Sequence, residues 1–325
     1  MPITLAEARK NVTDDLDGMI IDEFRKSSYL LDNLTFHDCV SPTGGGSTLT
    51  YAYYRMLSLP TANFRKVNAE YVEGPPATKK KCSVDLKVFG STFSIDRIVA
   101  DMGGYFDEVS FQMDASIKAI KALAHDKIIN GNSSVNSDEF DGLDVAVTGS
   151  STEFNAGGDA IKLVTSDDVT ANATKFCDMM DEWLLDMNNP SCLLMNAKML
   201  AKMRAVARRV GMYQMRQDEF GKQIEYYGDL PLIDLGDKPG ATIPSVSSSN
   251  SVVGIDESGN TSIYAVRFGM DGFHGVSVAG KQVIEKWLPK WDEAGAIKKG
   301  EIEMVMALAL KETKSAGVFR KIQVK

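Results

Sequence analysis

An α+β fold is predicted by three patterns in this 325-residue sequence. Phe106 to Ile128 carries apolar residues every three or four positions, the spacing of one long amphipathic helix. Leu49 to Tyr53, Cys82 to Val88 and Ile302 to Leu310 alternate along the chain with the period of strands. Between them, residues 165–269 change from helical to strand patterning over short distances, as a mixed α/β block does.

At the beginning, Thr4 and Glu7 fit a capping box, and Leu5, Val12, Leu16 and Phe24 recur at helical spacing. An amphipathic helix at that position has to lie on something, either the same subunit or a neighbour. "SPTGGGSTLTYAYY" follows. Its glycines do not make a phosphate-binding loop, because Gly46 leads directly to Ser47 without the lysine, and Leu49 stands where a nucleophile elbow needs a second glycine. Gly44, Gly45 and Gly46 are read as a hinge.

After the hinge, Leu49, Tyr51 and Tyr53 form one face of a strand, and Cys82, Val84, Leu86 and Val88 form one face of a second. The polar stretch between them, "PTANFRKVNAEYVEGPPATKKK", makes the pair an arm with an extended tip. A two-stranded ribbon is marginal in water, so this arm requires support from another subunit. The charged residues of the tip, Arg65, Lys66, Glu70, Glu73, Lys79, Lys80 and Lys81, are the predicted intersubunit contacts, since a projecting tip meets a partner first.

Phe106, Val109, Met113, Ile117, Ile120, Ala124 and Ile128 give the long helix its apolar face, and Asn130-Gly131 should end it, with Gly131 in the left-handed conformation. The polar run after it resembles a calcium loop only at first sight. Counted from Asp126, the third and twelfth positions are Ile128 and Ser137; from Asn130, the glycine position is Val135; from Asn132, the twelfth is Leu143. His125 reads as a helix-end residue.

In the middle block, Thr165 and Asp168 precede a helix with Val169, Ala173, Phe176, Met180, Leu184 and Met187 on its apolar face. Pro190 stops it, "SCLLMN" is a short buried strand, and a second helix carries Met199, Leu200, Met203, Val206 and Val210. That helix also bears Lys198, Lys202, Arg204, Arg208 and Arg209, read as a solvated face with an anion or partner surface as the sharper option. Met179, Met187 and Met195 are assigned to core packing. "SIYAVRFG" is another strand, and "EIEMVMALALK" and "GVFRKIQV" close the chain as strands whose apolar face should cover the long helix.

The net charge of -8 argues against a general nucleic-acid binder. No apolar run approaches the roughly 20 residues of a membrane span, and the first residues lack the apolar core of a signal peptide, so a cytoplasmic chain is expected. Cys39, Cys82, Cys177 and Cys192 are too scattered for a CxxC motif and read as packing residues. With only His37, His125 and His274, no nucleophile-base spacing and no phosphate cradle, neither catalysis nor a cofactor or metal is expected, and an α/β enzyme stays a remote alternative. His37 and His274 read as exposed loop histidines. Asp14, Asp15, Asp17 and Asp38 read as solvated positions.

Taken in order, these elements, together with the phrases "DKIINGN", "EFDGL", "YYGDLPLIDLG" and "YAVRFG", resemble the major capsid proteins of tailed bacteriophages, with the Hong Kong 97 phage capsid fold. The resemblance implies an N-terminal helix or arm over residues 1–47, an extended loop over 48–97, a discontinuous peripheral domain over 98–149 and 276–325 with the long helix as its spine, and an axial domain over 150–275. It implies self-assembly through pentamers and hexamers into an icosahedral shell around double-stranded DNA bound without sequence specificity, in a virion assembled in the bacterial cytoplasm, with no membrane partner. Portal and decoration proteins belong to that picture, and the short stretch before the arm leaves two options, a separate scaffolding protein or a scaffolding segment that this sequence lacks. A bacterial nanocompartment shell of the encapsulin type, enclosing an enzyme, is the alternative. In the family's type member a lysine-asparagine bond joins subunits. Lys66 and Lys79 to Lys81 are candidate donors here, with ion pairing across the contact as the plainer role.

Overall fold

The computed structural model describes residues 29–41, 48–102, 107–211, 214–217, 223–238 and 251–325. The expected N-terminal helix, with Asp14, Asp15 and Asp17, the hinge Gly44 to Gly46, and Phe106 lie outside the described residues.

The first elements are a short helix α1 (Tyr29–Asn33) and strand β1 (Phe36–Val40). Strands β2 (Thr50–Ser58) and β3 (Thr78–Asp85) then pair with each other and with no other strand, in register from Thr50↔Asp85 to Ser58↔Thr78. They are the arm. Strand β4 (Lys87–Asp96) does not continue it: β4 pairs along ten positions with a long strand near the end of the chain, from Asp96↔Ile297 to Lys87↔Met306. The sequence placed Cys82, Val84, Leu86 and Val88 on one face, yet Leu86 is buried and Val88 is 51% exposed. The chain changes phase between β3 and β4, so that Phe93 and Ile95 turn inward instead, and the arm's strand ends at Asp85 rather than near Arg97.

Helix α2 (Arg97–Asp101) leads to the long helix α3 (Glu108–Asn130), capped by the Asp107 carboxylate accepting from the Val109 N–H at 3.1 Å. Ile120, Ala124, Ile128 and Ile129 are buried, while Val109, Met113 and Ile117 are partly so, as the apolar spacing predicts. The helix stops at Gly131, but not in the predicted conformation: its φ is -57° and its ψ 137°. Glycine is required for a different reason. A Cβ there would stand 2.4 Å from the Phe140 carbonyl oxygen and 2.6 Å from that of Lys127, because the returning chain crosses directly over the helix end, with the Gly142 N–H donating to Gly131 O at 2.8 Å.

Helix α4 (Leu143–Val147), strands β5 (Glu153–Phe154) and β6 (Ile161–Lys162), helix α5 (Ser166–Leu185), strand β7 (Cys192–Met195), helix α6 (Ala197–Val210), strands β8 (Gln214–Gln217), β9 (Gln223–Tyr227), β10 (Leu230–Asp234) and β11 (Asn260–Val266) form the mixed block. The capping box is present: Thr165 Oγ1 accepts from the Asp168 N–H at 3.1 Å, and Asp168 accepts from the Thr165 N–H at 3.0 Å. Strands β12 (Phe273–Val278), β13 (Ile284–Trp287), β14 (Ile297–Leu310) and β15 (Ala316–Gln323) follow.

Two main sheets result. The five-stranded sheet runs β1-β12-β14-β13, with β4 also on β14; the eight-stranded sheet runs β5-β15-β11-β7-β10-β9-β8, with β6 on β15. β14 covers α3 as expected, through Ile302, Met304, Met306 and Leu308. The closing strand β15 reaches the same core only through Ala316 and Val318, because it enters the eight-stranded sheet beside β11 rather than the helix-covering sheet. Strand alternation makes that sheet a wall between two cores. Cys192, Leu194, Tyr264, Val266 and Val318 face the core of α3 and β14, whereas Leu193, Met195, Ile263, Ala265 and Phe319 face α5 and α6.

A polar cluster ties the wall to its surroundings. Arg320 pairs with Asp144 at 2.9 Å and with Glu153, and Tyr264 donates to Asp144 at 2.8 Å. Burial alone would raise the Glu153 carboxyl, but the Gly149 N–H and the Arg320 guanidinium reverse this and hold it below the usual range.

Candidate functional site

The arm stands out as the part of the described surface that the rest of the fold leaves uncovered. Its base is fixed. Tyr53 donates to the Leu310 carbonyl at 2.7 Å, Arg55 Nε donates to the Lys311 carbonyl at 2.8 Å, and a second Arg55 nitrogen also reaches Leu310. Tyr51, Tyr53 and Val84 pack on a small core of Val40, Leu86, Val276, Val278, Ala307 and Ala309. The alanines of β14 leave room there for the tyrosine rings.

Beyond Met56 the side chains have nothing under them. Leu59, Phe64, Val67, Tyr71 and Val72 are between 67% and 108% exposed, a concentration of apolar surface that soluble monomers rarely carry. Arg65, Lys66, Glu70, Glu73, Lys79, Lys80 and Lys81 are all exposed among them. Arg65 stacks on Tyr71 at 5.2 Å and Lys79 on Tyr54 at 5.2 Å, while Lys66, Glu70, Glu73, Lys80 and Lys81 make no ion pair among the described residues. The tip is therefore apolar as well as charged, whereas its charges alone were expected at the contact. "NF", "YV" and isolated valines in a polar stretch were the available signal.

A second exposed apolar group was not anticipated. Trp287, Leu288, Trp291 and Ile297, 45–60% exposed, gather around the hairpin between β13 and β14.

Other positions behave differently from the sequence reading. On α6, Arg204 pairs with Glu225 at 2.6 Å, Lys202 donates to Val164 O at 2.6 Å, and Arg209 bonds Ser166 and Thr170 on α5. These three cations are engaged inside the subunit rather than forming one solvated face. His125 is buried, with Nε2 3.0 Å from Leu235 O, and burial lowers its pKa. His274, expected in an exposed loop, is fully buried on β12, and His37 is half-buried on β1. Cys177 and Cys192 are core residues, whereas Cys39 is exposed. No group of three or more His, Cys, Asp or Glu side chains suited to a metal ion occurs among the described residues. No helix among them is long and apolar enough to cross a membrane.

No protein-family model and no curated protein sequence matches the chain. Solved structures do match over its whole length. The capsid of the native GTA particle superposes with a TM-score of 0.62 at 10% identity, covering 98% of this chain and 97% of the other. The fold is that of the Hong Kong 97 phage capsid proteins. The capsid of the Myoviridae phage XM1 gives a TM-score of 0.56 at 10% identity, covering 98% and 99%. The holo SrpI encapsulin complex of Synechococcus elongatus gives 0.63 at 14%, covering 100% and 98%. Phage capsids and an encapsulin are thus similar in overall fold to this chain.

Proposed function

We propose that this chain is a shell subunit, the major capsid protein of a tailed double-stranded DNA phage or prophage, which assembles through pentamers and hexamers into a closed icosahedral head. One observation carries the proposal: an arm pinned at its base by Tyr53 and Arg55 exposes Phe64, Val67, Tyr71 and Val72 at its tip. A neighbouring copy that covers this tip removes the apolar surface from water and orders the charges around it, and the same contact repeated by rotation closes a shell. The fold likeness supports the same reading. In such a shell residues 48–85 act as the intersubunit loop, α3 as the spine of the peripheral part, and the block around α5 and α6 as the axial part. The chain's net charge of -8 suits a container whose contents are held without base reading. Scaffolding, portal and decoration proteins are the further partners expected of a phage head.

The likeness to the encapsulin favours a second reading, a compartment enclosing an enzyme, with the same assembly chemistry. Particles that contain DNA after production in a phage background support the head; particles that copurify with a stoichiometric protein cargo support the compartment.

The assembly claim is tested by sedimentation velocity and electron microscopy of the wild type beside the double variant Arg65→Glu, Lys66→Glu. Capsomers or shells are expected from the wild type, and folded, unassembled subunits from the variant. Undiminished particle yield from the variant would remove these two residues from the contact. A wild type that stays monomeric at high concentration, with or without a scaffolding protein, would overturn the shell reading itself.

A further inference from the structure

The base of the arm lies on a pair of histidines, His274 buried and His37 half-buried. On β12, His274, Val276 and Val278 alternate onto the face that the arm covers, and His274 is 0% exposed. Its ring lies 6.2 Å from that of His37 on β1, and Tyr51 of the arm lies edge-on to both, at 5.8 Å from His37 and 6.1 Å from His274. Two buried nitrogens in this group, Nδ1 of His37 and Nε2 of His274, have no hydrogen-bond partner among the described residues. The His274 Nδ1 is 3.4 Å from Gly272 O, too long for a strong bond.

The charged and titratable groups around the pair come from every neighbouring element. Lys311, after β14, holds its ammonium 5.9 Å from the Tyr51 ring and repels a second cation at His274. His37 acts in the same direction, and Asp271, in the turn before β12, acts against it. From the arm come Tyr51, Tyr53 and Arg55. One acid against two basic neighbours leaves a charged His274 without compensation. A cleft of about 200 Å³ separates another part of the arm base, Tyr53, Arg55 and Val84, from Val145, Phe273 and Leu308.

We propose that His274 is a protonation-sensitive joint: its neutral imidazole, packed beside His37 and Tyr51, holds the arm base against the sheet, and its protonation releases the arm. The joint is a property of the single chain and holds whether or not the shell reading does. The sign follows from burial, which lowers His274 from 6.5 to about 4, with Lys311 adding to the effect. A released arm wets the imidazole and restores the ordinary value, so the released state binds the proton first as pH falls. Docking is then complete above about pH 6.5 and weakens down to about pH 4, and the docked-to-released ratio falls roughly 30-fold between pH 7.5 and pH 5.

The test is amide hydrogen exchange of the full chain from pH 7.5 to pH 5, corrected for intrinsic rates, read at Tyr51 to Arg55 and Cys82 to Leu86 against β7 and β11. Selective loss of arm-base protection of roughly 30-fold in the wild type is expected, with His274→Gln flat across the range and Lys311→Gln showing a smaller change. Lys311→Gln keeps the fold contacts of its backbone carbonyl, so it decides the matter should His274→Gln fail to fold. Arm protection that is independent of pH in the wild type, an equal loss in His274→Gln, or a full-sized loss in Lys311→Gln would each overturn the proposal.

Discussion

Replacing Arg55 with alanine tests whether the arm is a separate unit anchored at its base. Arg55 supplies two donors, one to the Leu310 carbonyl and the other, its Nε, to the Lys311 carbonyl at 2.8 Å. Leu310 O keeps the Tyr53 hydroxyl at 2.7 Å, so Lys311 O is the acceptor deprived of its side-chain partner. A hydrogen bond from a charged donor contributes about 1.5–3 kcal/mol, and this guanidinium is only half-buried, which places the loss near 2 kcal/mol. That is roughly a 30-fold shift from docked to released arm. Since a released ribbon frays, amide exchange at Tyr51 to Arg55 and Cys82 to Leu86 should accelerate by the same factor, while β7 and β11 keep wild-type protection and the thermal midpoint hardly moves. Unchanged exchange in the arm, or equal loss of protection in β7 and β11, would refute the view of a hinged arm on an independent core.

Phe319→Ala should cost about 3–5 kcal/mol by chemical denaturation, because this fully buried ring contacts Phe154 at 5.1 Å, Phe176 at 5.9 Å and Trp183 at 5.8 Å. Gly131→Ala should lower the urea midpoint even though its φ suits any residue, since the new methyl meets two backbone carbonyls; an unchanged midpoint would mean the crossing chain yields. Glu153 has a folded pKa below 4.5, so its contribution is present above that value and is lost as pH falls through its folded pKa. Urea stability measured between pH 6 and pH 3 should therefore fall more steeply for the wild type than for Glu153→Gln.

Periodicity made much of this molecule legible. The faces of α3, α5 and α6 were legible because each buries one main stripe, that of β14 because its large apolar residues alternate from Ile302 to Leu310, and the Thr165/Asp168 box because its signal is local. What failed depended on distant chain. Gly131 is constrained by Phe140 crossing it, not by its own dihedral angles. The phase change after Leu86 follows from β4 finding β14 more than two hundred residues away. β15 looked like one more strand of the neighbouring sheet, and its placement depends on pairing with β11. His274 was taken for a loop residue because glycine follows it, although its alternation with Val276 and Val278 was already visible. In the arm, charge drew the eye from Phe64 and Tyr71. A polar composition hides a few large apolar side chains that only an exposed structure reveals.

The continuity of the arm into β4 has a mechanical consequence. β3 leads through Leu86 into β4, which lies antiparallel on β14 along ten successive positions, within a strand about 45 Å long. A pull on the arm along its axis is delivered to β4 lengthwise. Ladder hydrogen bonds lie across the strands, so such a load shears all of them together instead of peeling them one by one. A sideways pull meets the anchors of the base alone, the hydrogen bonds of Tyr53 and Arg55 and the packing of Tyr51, Tyr53 and Val84. The subunit is thus stiff to tension in the plane of its sheet and compliant to lifting out of it, as a tile in a stretched surface would need to be.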